Sequence, residues 1–125
     1  MIGNAVVRYF NAQKLDVLEV NREGVCVSPK NKVFKFDVLQ NPVSEILNVI
    51  ENESTIVNLI GVIRHKIDSN DERNLEQASL VNSVFPLELV DFSKRKGCRV
   101  IQVATDCIFS GSTGCLLYTS DAADE

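Results

Sequence analysis

The chain has 125 residues, 45% of them hydrophobic, and a formal charge of −4. That length allows at most one domain, and the composition is that of a soluble globular protein. It holds no basic field of the kind nucleic-acid binding requires, no apolar run of ~18 residues for a membrane span and no signal peptide.

Helical and extended patterns alternate along the chain. Apolar residues at Ile2, Ala5, Val6, Tyr9 and Phe10 follow helical spacing and predict a helix over Ile2 to Ala12. Leu15 to Val20 alternates at period two and reads as a strand, and Lys32 to Phe36 reads as a second short strand. Asn41-Pro42 opens a helix with Pro in its first turn, where the missing N–H costs nothing. That helix carries Val43, Ile46, Leu47 and Ile50 on one face. Thr55 to Ile60 is a β-branched strand ending at Gly61, and a polar linker spans Ile67 to Glu72. Asp71 to Lys96 reads as one long helix, kinked at Pro86 and stopped by Gly97. Arg99 to Ala104 is the last strand.

Strands alternating with helices imply an α/β fold with a parallel sheet and right-handed crossovers. A doubly wound sheet opens with a strand and a Gly-rich turn before its first helix, whereas this chain opens at the helix. Met1-Ile2-Gly3 reads as the end of G-x-x-G-x-x-G, so the first strand and two glycines are expected upstream. At the other end, Cys115 to Glu125 (CLLYTSDAADE) reads as the translation of a transposon-type sequencing adapter. Residues 1–114 are then a partial NAD(P)-binding Rossmann domain, with 14 acidic against 13 basic residues. Cys26, Cys98 and Cys107 remain, an odd number without C-x-x-C spacing. Reduced thiols in a cytoplasmic protein fit this better than zinc or a disulfide framework.

Several residues stand where a dinucleotide site would place its contacts. Asn21-Arg22 ends the first visible strand, the position that reads the adenosine ribose. Arg22 either pairs bidentately with a 2′-phosphate, favouring NADP over NAD, or is a solvated turn residue. Asp37 either accepts from the adenine amino group or starts a turn. Gly61 either admits the cofactor close to the backbone or merely ends a strand. Asn82 falls on or near the buried face of its helix, where it is expected to bond inward. His65, between Arg64 and Lys66, is the one histidine and reads as a solvated loop residue, so no metal set is built. Thr105-Asp106 follows an apolar strand at its carboxyl end, where ligands of open α/β sheets sit. Its bland reading is a strand Thr followed by a turn Asp.

Taken together, VNLIGVI (57–63), VNSVFPLEL (81–89) and IQVATDCIFSG (101–111) resemble the dTDP-4-dehydrorhamnose reductase branch of the extended short-chain dehydrogenases. The likeness covers almost all of Met1 to Gly114, in order. It implies a Rossmann-type sugar-nucleotide reductase that moves hydride from NADPH to C4 of a 4-keto sugar. By the resemblance, Met1, Ile2 and Gly3 lie in the pyrophosphate turn, Asn21 and Arg22 face the adenosine ribose, and Asp37 and Val38 flank the adenine. Gly61, Val62 and Ile63 line the cofactor, and Val103 touches its nicotinamide half. Thr105 is the hydroxyl member of a Thr/Tyr/Lys catalytic set, and Asp106 sits beside it near the sugar. The implied partner is a nucleotide sugar, and a homodimer is left open. The family's Y-x-x-x-K motif is absent: Tyr118 has no Lys four residues on, so the chain by itself is expected to be inactive. Ala104 stands where many members have Ser. A nucleotide-sugar epimerase or dehydratase and a non-catalytic NADP-binding regulatory subunit are the rival readings.

Overall fold

A computed structural model describes residues 2–63, 68 and 70–103. Helix α1 (Ile2–Ala12) is followed by β1 (Leu18–Asn21), β2 (Lys32–Lys35), α2 (Val43–Val49) and β3 (Thr55–Asn58). Then come α3 (Glu72–Ser79), a π-helical turn (Leu80–Val84), α4 (Phe85–Arg95) and β4 (Arg99–Gln102).

The strands form two parallel pairs. β1 pairs with β2, Leu18 opposite Lys32 and Asn21 opposite Lys35. β3 pairs with β4, Thr55 opposite Arg99 and Asn58 opposite Gln102. Among the described residues no ladder joins β1 to β3. Both pairs nevertheless rest on one core. Phe36, Val43, Ile46, Phe85 and Leu89 are buried together, and Val20, Phe34, Ile56 and Val100 pack against them from the four strands. This is the mixed α/β, partial Rossmann-like arrangement that the alternation predicts, with the two pairs sharing the layer formed by α2 and α4.

Local chemistry sets the boundaries, and several differ from the sequence reading. The first strand begins at Leu18 instead of Leu15. Helix α1 closes with a Schellman motif: Lys14 N–H donates to Asn11 O, Leu15 N–H donates to Phe10 O, and Lys14 takes φ +58°. The residues after it are spent on leaving the helix. Pro42 is the N-cap of α2, one position earlier than its first turn. β3 stops at Asn58 because its side chain accepts from Ile60 N–H at 3.1 Å, an Asx-type turn.

The long helix expected over Asp71 to Lys96 is interrupted by a π turn that ends just before Phe85 and Pro86. Phe85 N–H donates to Leu80 O, five residues back. The chain re-enters α-helix at Phe85, so Pro86 falls in the first turn of α4, where it lacks no needed donor. Asp71 caps α3 by accepting from Arg73 and Asn74 N–H. Gly97, at φ +65°, ends α4 as predicted: Gly97 N–H reaches Lys94 O and Cys98 N–H reaches Ser93 O.

Helix α1 has the expected amphipathic pattern, yet none of its residues is buried. Its stripe of Ile2, Val6, Tyr9 and Phe10 borders an apolar cavity of about 490 Å³, closed on the other side by Val57, Leu59, Ile101 and Val103.

Candidate functional site

Parallel pairing sends the carboxyl ends of β1 and β2 the same way, and likewise those of β3 and β4. The amino end of α1 meets the end of β3: a Cβ on Gly3 would lie 3.9 Å from Leu59 Cδ1. Helix start and strand end therefore share one edge, the arrangement in which open α/β sheets bind ligands.

The connection from β1 to β2 spans Arg22 to Asn31 without a helix. Two side chains on one face of β1 hold it. Asn21 Oδ1 accepts from Gly24 N–H at 2.8 Å and Glu23 N–H at 3.1 Å, and Asn21 Nδ2 donates to Val25 O at 3.0 Å. Glu19, buried although ionisable, accepts from Val27 N–H at 2.7 Å, Ser28 N–H at 3.3 Å and Asn31 Nδ2 at 2.8 Å. A carboxylate is tolerable there because its oxygens are met by donors. Asn21 is thus a turn builder, and Arg22 is the neighbour left to face outward.

Arg22 borders a polar cavity of about 350 Å³ together with Lys35, Asp37, Gln40 and Asn41. Asp37 Oδ1 accepts from Leu39 N–H at 3.0 Å, and Asp37 N–H donates to Asn41 Oδ1 at 2.9 Å. Asn41 Nδ2 in turn donates to Glu45 Oε2 at 3.0 Å. Val38, read as an adenine neighbour, is partly buried and packs against the core.

After β3, Asn58 is buried and donates from Nδ2 to Gln102 Oε1 at 2.7 Å, strapping β3 to β4 across their register. The following loop holds Gly61, Val62 and Ile63. Asn82, in the π turn, grips Val62 at both backbone groups, and a Cβ on Gly61 would stand 3.6 Å from Asn82 Oδ1. Asn82 is exposed, off the buried face expected for it, and its bonds go to the loop after β3 and not into the core. Val103 lines the apolar cavity facing α1. Met1, His65, Ala104, Thr105, Asp106, Cys107 and Tyr118 lie outside the described residues.

Sequence reasoning missed Glu19, Lys35 and Gln102. The one available signal was Glu19 standing at a period-two position between Leu18 and Val20, a side chain set on the face opposite the core. Among the described residues no group of His, Cys, Asp and Glu is placed to hold a metal ion. No described helix is long and apolar enough to cross a membrane.

The model of the NAD dependent epimerase/dehydratase family matches residues 1–123. The chain belongs to this family. No curated protein and no solved structure gives a match. Epimerase/dehydratase membership places the chain in the extended short-chain dehydrogenase superfamily, whose members bind NAD(P) and act mainly on nucleotide sugars. The residues present fit such a cofactor. A helix start and a strand end share an edge, and a polar cavity bearing Arg22 and Asp37 opens at the ends of β1 and β2.

Proposed function

We propose that the chain supplies the cofactor-binding half of a nucleotide-sugar reductase of the dTDP-4-dehydrorhamnose type, with NADPH as the reductant. The observation that carries the cofactor assignment is Arg22 at the polar cavity beyond β1. Its preceding residue is consumed by the turn, and its own guanidinium has no carboxylate partner among the described residues. A guanidinium in that place matches a 2′-phosphate in charge and in geometry.

The other roles follow the order of the strand ends. Gly3, in the first turn of α1, stands where a pyrophosphate meets helix N–H groups. Asp37 offers its second carboxylate oxygen to the adenine amino group. The Gly61 to Ile63 loop, held by Asn82, forms the floor beneath the cofactor. Thr105, at the end of the stretch IQVAT, holds the substrate carbonyl oxygen in line, with Asp106 beside it. Bound NADPH supplies the hydride.

The run IQVATDCIFSG supports reduction at C4 over the other chemistries of the family. The test is to supply the complete gene product with NADPH and a dTDP-4-dehydro-6-deoxy sugar. NADPH oxidation matched by a new C4 hydroxyl supports the reading. The family's description favours a second reading, redox-neutral epimerisation or dehydration of a nucleotide sugar. Either product without net NADPH oxidation would replace the reductase assignment.

A further inference from the structure

We infer that Lys35 is a second phosphate-reading residue and that it sets nucleotide specificity jointly with Arg22. This rests on the reading of the polar cavity as the ribose end of a dinucleotide site. Lys35 is the last residue of β2, directly opposite Asn21 in the parallel register, so it stands beside the strand end from which Arg22 departs. The two cations line the same cavity of about 350 Å³. The only ion pair among the described residues is Lys94 with Asp91, so neither Arg22 nor Lys35 is within ion-pair distance of a carboxylate, Asp37 of the same cavity included. Two unpaired cations in one concavity repel each other, and an anion between them removes that cost.

The Lys35 stem lies beside Gly24. Gly24 adopts φ +69° with its backbone laid on that stem, and a Cβ there would fall 3.3 Å from Lys35 Cβ and 3.6 Å from Cγ. Gly24 is itself pinned by Asn21 Oδ1, and the rest of the loop is pinned by Glu19. The loop that bears Arg22 therefore also runs close to the Lys35 stem. Asp37 in the same cavity disfavours a phosphate placed at random, so the anion is expected on the Arg22–Lys35 side.

The experiment titrates the full chain with adenosine 2′,5′-bisphosphate and, separately, with adenosine 5′-monophosphate. The unaltered chain is expected to bind the bisphosphate at least tenfold more tightly. Lys35→Met keeps the aliphatic stem against Gly24 and removes the charge. It is expected to lose about tenfold in affinity for the bisphosphate, with little change for the monophosphate and an unchanged melting temperature. Equal affinity of the two nucleotides for the unaltered chain, or binding of neither, overturns the proposal. So does an affinity for the bisphosphate that Lys35→Met leaves unchanged. Arg22→Ala in the same titration keeps the two readings apart. If it leaves the preference intact while Lys35→Met abolishes it, the Arg22 assignment fails and the Lys35 assignment stands.

Discussion

Asn82 and Val62 are joined by two hydrogen bonds: Val62 N–H donates to Asn82 Oδ1 at 2.8 Å, and Asn82 Nδ2 donates to Val62 O at 2.9 Å. Twenty residues separate them in sequence. One primary amide here satisfies both backbone polar groups of a loop residue that lies outside every strand and helix. The π turn that carries Asn82 adds a residue to the helical cycle and turns the amide toward the end of β3. Asn82→Ala should cost about 1–2 kcal/mol, read by urea unfolding. Asn82→Asp keeps the acceptor but sets a carboxylate against Val62 O, so it should not restore stability. A wild-type midpoint in both variants would show that the clamp contributes nothing.

The buried Glu19 gives a second expectation. Glu19→Ala removes the acceptor of Val27 N–H, Ser28 N–H and the Asn31 amide at once. Leaving buried donors unmatched costs about 1–3 kcal/mol. Amide hydrogen exchange at Val27 and Ser28 should accelerate strongly, while exchange in β3 changes less. Undiminished protection at those two amides would mean that the loop is held by something else.

Arg22→Ala should weaken NADPH far more than NADH. Loss of a charge-assisted hydrogen bond is worth about 1.5–3 kcal/mol, a tenfold to hundredfold drop. Fluorescence titration of both cofactors measures it. Similar losses for the two would return Arg22 to a solvated turn position.

For Thr105, outside the described residues, the test is kinetic. Thr105→Val retains shape and removes the hydroxyl. In the complete gene product kcat should fall by about tenfold or more, with NADPH affinity nearly constant. An undiminished kcat would leave Thr105 a strand-end residue.

The core offers a control for stability. Leu89 is 2% exposed within the shared cluster, whereas Leu87, two residues earlier on the same helix, is 69% exposed. Leu89→Ala should cost about 2–5 kcal/mol, enough to unfold a marginal domain. Leu87→Ala should stay within about 0.5 kcal/mol. Thermal melts of the two variants, run side by side, decide it.

Much of the architecture was legible because it is written in short-range patterns. The helical spacing of α1 gave its bounds, Ile2–Ala12, and Asp71 and Gly97 announced the ends of the α3–α4 segment. The β-branched stretches at Thr55 and Arg99 marked β3 and β4. Lys14 was not legible as a helix stop, because a left-handed lysine carries no compositional flag of the kind Gly97 does. The π turn was hidden as well. Pro86 drew attention to itself, while the widening lay in the residues before it.

That Arg22, Asp37 and Gly61 follow the ends of strands was readable, since strand ends can be found from periodicity. Asn82 was read as bonding inward, but its partner was not named. Lys35 and Glu19 were passed over because each matters through a neighbour distant in sequence: Lys35 through Gly24 and Arg22, Glu19 through residues 27, 28 and 31. Periodicity reports which face a side chain takes, a property of one segment. It carries nothing about what arrives on that face.

The sequence by itself determined that this protein alternates helix and strand and pairs its strands in parallel. These follow from local spacing and residue chemistry. Only the tertiary structure decided that Asn21 closes a turn while Arg22 and Lys35 share a cavity. It also decided that Asn82 reaches Val62. Those outcomes depend on which backbone donors and acceptors remain unmatched after each segment has folded, and that balance is settled only when the segments meet.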